Sequence, residues 1–133
     1  GTINLTGSSS ANTIVGNNGA NWIDGKLGAD LLVGAGGADV FAFTSALGQG
    51  VDRIEDFTTG TDKIALEDAV FVNLGLGAFR IGANAQDSDD RVIYDSTTGA
   101  LYFDADGNGS AAMVQFAQLT AGLALTGSDF MVI

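Results

Sequence analysis

Asparagine and aspartate recur at a fixed interval early in the chain: Asn12, Asn21, Asp30 and Asp39 stand nine residues apart. Glycine keeps the same interval at Gly7, Gly16, Gly25 and Gly34, and again at Gly19, Gly28 and Gly37. Side-chain oxygens spaced by glycines are the ingredients for holding a hard cation. Calcium takes about six to eight oxygens, drawn from carboxylates, amides and backbone carbonyls. Glycine suits bends that turn successive carbonyls inward, because other residues resist the dihedrals required. A second candidate is Asp104-Ala-Asp106-Gly-Asn108-Gly-Ser110, whose start fits a calcium loop of the form Asp-x-Asp-x-Asn-Gly. Its expected ligands are Asp104, Asp106, Asn108 and a carbonyl near Ser110. The twelfth position is Gln115 and no flanking helices are evident, so a full EF-hand is not expected. The competing reading of this stretch is a polar hairpin turn.

Charge points the same way. Sixteen carboxylates face five cations over 133 residues, a net charge of −11, and all the acids are Asp except Glu55 and Glu67. Such a chain repels nucleic acid and anionic membrane surfaces, and it repels itself when folded unless cations neutralise it. There is no Cys and no His. Disulfides, ordinary zinc or iron–sulfur sites, a Cys nucleophile and a His base are therefore excluded. A bound metal is the remaining stabiliser for a small extracellular domain. No apolar run reaches membrane-spanning length, and no N-terminal signal peptide is visible.

These residues need elements to position them. Ala-Asn-Thr-Ile14 recurs as Ala-Asn-Trp-Ile23, Ala-Asp-Leu-Leu32 and Ala-Asp-Val-Phe41. Each nine-residue unit reads as a six-residue turn ending in Asn or Asp, then a three-residue strand with one inward apolar side chain. A strand so short buries nothing alone and must stack on its neighbours. Two units make one coil with a strand on each side. Ile14 should then stack near Leu32 and Ile23 near Phe41, while the turn of Asn12 lies beside that of Asp30, and Asn21 beside Asp39. A glycine-rich solenoid without metal is the competing reading.

The units Gly25-Lys-Leu-Gly28-Ala-Asp30-Leu-Leu32-Val and Gly34-Ala-Gly-Gly37-Ala-Asp39-Val-Phe41-Ala resemble the RTX (hemolysin-type) nonapeptide, Gly-Gly-x-Gly-x-Asp-x-U-x with U large and apolar. The resemblance implies an all-β fold, a parallel β-roll, with Ca2+ held between turns two units apart by the Asp-position side chains and turn carbonyls. Ser8, Asn17, Lys26 and Ala35 replace the second glycine, Ser10 replaces a later one, and Asn stands for Asp at 12 and 21. Each stacked pair then holds one Asp and one Asn. Such gaps should bind calcium more weakly than Asp-lined ones, and Asn12→Asp and Asn21→Asp should tighten them.

The rest of the chain reads as a β subdomain. Val51–Phe57 and Thr61–Leu66 look like two short strands around a turn, in wording that resembles the segment following the repeats in RTX exported proteases. Asp52, Asp56 and Asp62 there read better as turn and edge residues than as ligands. Residues 67–90 are uninformative. Val92–Asp95 and Ala100–Phe103 read as a hairpin, with Tyr94 and Tyr102 as packing residues. Asp129-Phe-Met-Val-Ile133 resembles a type I secretion signal, and also suits a final core strand. The expected division is a β-roll over 1–43 and a mostly antiparallel β-subdomain over 44–133.

The resemblance implies a secreted, extracellular bacterial module that folds on calcium. Its expected partners are the type I secretion machinery and an upstream passenger domain, with no nucleic acid and no membrane span. An adhesion or polysaccharide-binding module is the alternative, although Trp22 is the sole tryptophan and no aromatic platform is evident. A two-carboxylate hydrolase is disfavoured because the acids fit turn-ligand spacing better and nothing marks a raised-pKa acid.

Overall fold

The computed structural model describes every residue except 1, 2, 73, 76, 77 and 108–112. The first strands are as short as the repeat requires: β1 Asn4–Thr6, β2 Thr13–Val15, β3 Trp22–Asp24 and β4 Leu31–Val33, followed by β5 Val40–Phe43. Odd strands join one sheet and even strands the other, all parallel. Ile14 pairs with Leu32 and Ile23 with Phe41, as the period demands. Ile23, Leu32 and Phe41 have no solvent exposure. One inward residue per strand therefore builds a core only through the stack.

Parallel stacking runs past residue 43. β6 Asp52–Ile54 and β7 Lys63–Leu66 do not pair with one another. They lie in opposite sheets and form the next coil, β6 on β4 and β7 on β5. Their turns are longer, so the period breaks, yet Ile54 and Ile64 continue the inward column at 1% and 0% exposure.

β8 Phe79–Ile81, β9 Val92–Asp95, β10 Ala100–Phe103 and β11 Val114–Gln118 extend the even sheet, in the order β2-β4-β6-β11-β10-β9-β8. Antiparallel pairing is confined to β9, β10 and β11, while β11 runs parallel to β6 and β8 parallel to β9. After a 3-10 turn at Gly127–Asp129, β12 Phe130–Val132 closes the odd sheet beside β7. The last hydrophobic run is thus a strand, but an edge strand with Met131 and Val132 exposed, where its sequence suggested a core strand.

The core is continuous across the chain. Phe41 contacts Phe57, Phe43 meets Phe116 edge-on, and Phe71 meets both Phe103 and Phe116. Tyr94 is buried, and its hydroxyl donates to the Thr120 carbonyl and accepts from the Leu123 amide, which ties the distal segment to the hairpin. Among the described residues no helix is long and apolar enough to cross a membrane.

Two departures from the repeat carry a cost. Lys26 and Ala35, at the missing second glycine, adopt φ of 64° and 68°. An L residue there loses roughly 1–2 kcal/mol, while glycine gives back part of that through the greater chain entropy it loses on folding. Ala35→Gly keeps the amide bond to Asp56 Oδ2 and should raise stability by about 0.5–1 kcal/mol in urea unfolding. A loss of stability would mean that this turn is not strained.

Candidate metal centre

Six turns stack in two columns, one at each side of the roll. One column holds residues 7–12, 25–30 and 44–52; the other holds 16–21, 34–39 and 55–62. Backbone bonds join the stacked turns, Gly7 N–H to Asp24 C=O at 2.8 Å and Gly16 N–H to Val33 C=O at 2.7 Å. Glycine is needed where the turns meet. Gly28 and Gly37 have φ of 93° and 84°, and a Cβ on either would sit 2.8 Å from Ser10 O or 2.7 Å from Gly19 O.

The first glycine of each turn marks where oxygens converge. A Cβ on Gly7 would collide with Asn12 Oδ1 and Gly25 O, and one on Gly16 with Asn21 Oδ1 and Gly34 O. Gly25 and Gly34 leave the corresponding space to Asp30 Oδ2 and Asp39 Oδ2. Gly7, Gly16, Gly19, Gly25, Gly28, Gly34 and Gly37 therefore all lie in the stacked turns, at close approaches between backbone or side-chain oxygens.

The repeated side chains follow a common scheme. Asn12 Oδ1 and Asn21 Oδ1 accept amides of their own turns, from Ser8 at 2.8 Å and Asn17 at 2.9 Å. Asp30 Oδ1 accepts from the Asn12 amide at 2.6 Å, and Asp39 Oδ1 from the Asn21 amide at 2.9 Å. The own-turn amides that would serve the two aspartates go elsewhere: Lys26 N–H to Asp24 Oδ1, and Ala35 N–H to Asp56 Oδ2. Asp30 Oδ2 and Asp39 Oδ2 are left buried with no hydrogen-bond partner. These residues are 2% and 1% exposed.

A buried oxyanion without a partner costs several kcal/mol, so either a proton or a cation must compensate. Burial pushes the Asp39 carboxyl above its ordinary range, and the negative Asp62 and Asp56 push it further. Burial raises Asp62 as well and carries Asp52 to about 7, with Asp30 and Asp24 adding repulsion. Lys26 Nζ pairs with Asp24 Oδ2 at 3.0 Å. Unpaired carboxylate oxygens, neighbouring carbonyls, and glycines where a side chain would intrude form a donor set suited to calcium.

Residues 6–41 match four copies of the RTX calcium-binding nonapeptide repeat. The matched segment runs from the end of β1 into β5. A solved structure also resembles the chain: the solution structure of the AlgE6R3 subunit of the mannuronan C5-epimerase from Azotobacter vinelandii. It is 22% identical, covers 94% of this chain and 80% of its own, and gives a TM-score of 0.40. Among curated proteins, none matches. The RTX match ends at Phe41, whereas the parallel stack of turns continues to Asp62.

The second candidate loop is only partly described. Asp104 is buried, and its Oδ1 accepts from the Asp106 amide at 3.2 Å, with its carboxyl raised chiefly by burial. Asn108 and Ser110 lie outside the described residues. Gly107, at φ 66°, rests against the Ser88 and Asp87 carbonyls. On that neighbouring loop the carboxylates of Asp87, Asp89 and Asp90 approach within 4.8 Å, a grouping the sequence reading did not pick out. Asp90 is committed to structure there, since its Oδ2 accepts the amides of Gln86 and Asp87.

Proposed function

We propose that this chain is a non-catalytic calcium module that folds on binding calcium outside the cell, as the terminal part of a larger secreted bacterial protein. The observation that carries the reading is the pair of buried, unpartnered oxygens, Asp30 Oδ2 and Asp39 Oδ2, set in glycine turns of a chain with net charge −11. Ligands would come from Asn12, Asn21, Asp30, Asp39 and the turn carbonyls.

Calcium at low cytoplasmic concentration leaves these carboxylates in mutual repulsion and the chain loose. Abundant external calcium makes binding free energy part of folding free energy. An unfolded chain suits passage through a type I channel. The run Asp129-Phe-Met-Val-Ile133 supports an export signal at this end, with a passenger domain upstream as the secreted cargo. Asp104 and Asp106 are proposed as part of a further calcium loop.

Circular dichroism tests the central part. Addition of millimolar calcium to chelator-treated protein should produce a large gain of β signal, reversed by excess chelator. A chain fully folded in excess chelator at neutral pH would remove the coupling.

A further inference from the structure

We propose that Asn18 is a modification site that folding closes. In the unfolded chain its side-chain amide is lost to attack by the Gly19 nitrogen; in the stacked roll it is spared. Only the use of calcium to fold the chain rests on the reading above, and the site itself depends on the geometry of one turn.

Asparagine stands directly before glycine at 18–19 and at 108–109. A glycine in that place has no Cβ to shield its amide nitrogen, so the nitrogen reaches the asparagine Cγ with little hindrance. A bond forms between Gly19 N and Asn18 Cγ, the Cγ–Nδ2 bond breaks, and the Gly19 amide proton leaves with Nδ2 as ammonia. Water then opens the cyclic imide. Addition at Cγ gives aspartate at position 18. Addition at the backbone carbonyl carbon gives isoaspartate, in which the peptide link runs through the side chain.

In the roll both reacting groups are engaged elsewhere. The Gly19 N–H donates to Asn17 Oδ1 at 2.8 Å, so the nucleophile is already committed. Asn17 is itself fixed: its amide donates to Asn21 Oδ1 at 2.9 Å, and its Oδ1 also accepts from Asn21 Nδ2 at 3.0 Å. The Asn18 side chain lies against the stacked turn, where a Cβ on Gly36 would meet its Oδ1 at 3.0 Å. Asn18 is nevertheless exposed to water. Geometry protects it, and burial does not.

The position matters because of what this turn carries. A Cβ on Gly37 would lie 2.7 Å from Gly19 O and 3.0 Å from Asn18 O, so these two carbonyls set the contact between the stacked turns. Isoaspartate adds a methylene to the backbone there and leaves a free carboxylate beside it. Gly19 then no longer rests on Gly37, and the coil loses its match to the next one. Aspartate at 18 keeps the backbone length and adds only a negative charge. A chain left unfolded therefore loses, with time, its capacity to stack.

Reaction from the folded state must wait for the turn to open, so its rate follows the population of the open form. Asn108 also precedes a glycine and serves as a reference in the same unfolded chain.

Peptide mass spectrometry of the whole chain aged at mildly alkaline pH in calcium, in chelator and in urea tests this, with circular dichroism recording the state of the chain in each. In urea Asn18 and Asn108 should convert alike. In the folded chain Asn18 should convert at least about tenfold more slowly. Asn17→Ala, which frees the Gly19 N–H, should recover part of the urea rate in folded protein, and Asn17→Asp, which keeps an acceptor, should not. If Asn17→Ala fails to fold, the native comparison still decides. Returned to calcium, the isoaspartate fraction should need at least about tenfold more ion for half-folding than Asn18→Asp. Equal rates at Asn18 in folded and urea-unfolded protein would overturn the site, and an isoaspartate fraction that folds as readily as Asn18→Asp would overturn the loss of stacking. A chain that stays folded in chelator and protects Asn18 there would remove the calcium coupling while supporting the site.

Discussion

Asp30→Asn combined with Asp39→Asn should change stability in opposite directions with and without calcium. In chelator the double variant should be more folded than the native chain. In calcium it should need on the order of 100-fold more ion to reach half-folding, since ligand charge count tunes such sites over several decades. The reason is that each aspartate brings a buried oxygen that nothing in the protein satisfies, Asp30 Oδ2 and Asp39 Oδ2. Without an ion that oxygen is a burden, and removing its charge relieves it. With an ion it is a ligand, and the stacked turns lose it. Asparagine preserves the bonds from the Asn12 and Asn21 amides, so lost hydrogen bonding does not confuse the outcome. Thermal unfolding in chelator and in a calcium series measures both arms. A variant destabilised equally in each condition would show that the two aspartates serve packing alone.

Acid should partly replace calcium. Burial raises the carboxyls of Asp39, Asp52 and Asp62, with Asp52 at about 7 in the fold against an ordinary 3.8. A raised folded-state value means that the native chain holds more protons than the unfolded chain across that interval. Stability from these groups is fully present below about pH 4, the ordinary carboxylate range, and is lost as pH rises through about 7. In chelator, β structure should therefore be greater near pH 5 than at pH 8. In calcium the trend should reverse, because metal binding requires deprotonated ligands. Urea unfolding across that interval, with and without the ion, gives the sign directly. A chelated chain that gains stability from pH 5 to pH 8 would contradict it.

How far the sequence carried the fold depended on period. From Asn12 to Phe41 one interval governs every column, so the three-residue strands, the Ile14–Leu32 and Ile23–Phe41 pairs and the stacked Asn and Asp turns were all legible. Beyond Phe41 the stacked residues stand 22 and 23 apart in place of 18. Longer turns hid the next coil, and β6 and β7 looked like neighbours around a turn when they belong to opposite sheets. The signal was present in Gly50-x-Asp52-x-Ile54 and Gly60-x-Asp62-x-Ile64, which keep the turn ending and the inward residue while the loop length varies.

Other features had no local signal. β8 joins β9 in parallel, and β12 reaches back to β7 across most of the chain, pairings that depend on which sheet edges remain open. The unpartnered state of Asp30 Oδ2 and Asp39 Oδ2 depends on where the neighbouring amides point, and so emerges only in three dimensions.

Anomalous diffraction from crystals grown in calcium tests the central claim most directly. Peaks should lie inside the stacked glycine turns, with Asp30 Oδ2 and Asp39 Oδ2 among the oxygens at about 2.3–2.6 Å. Turns without any peak in calcium-grown crystals, or these two carboxylates rotated into solvent, would contradict it.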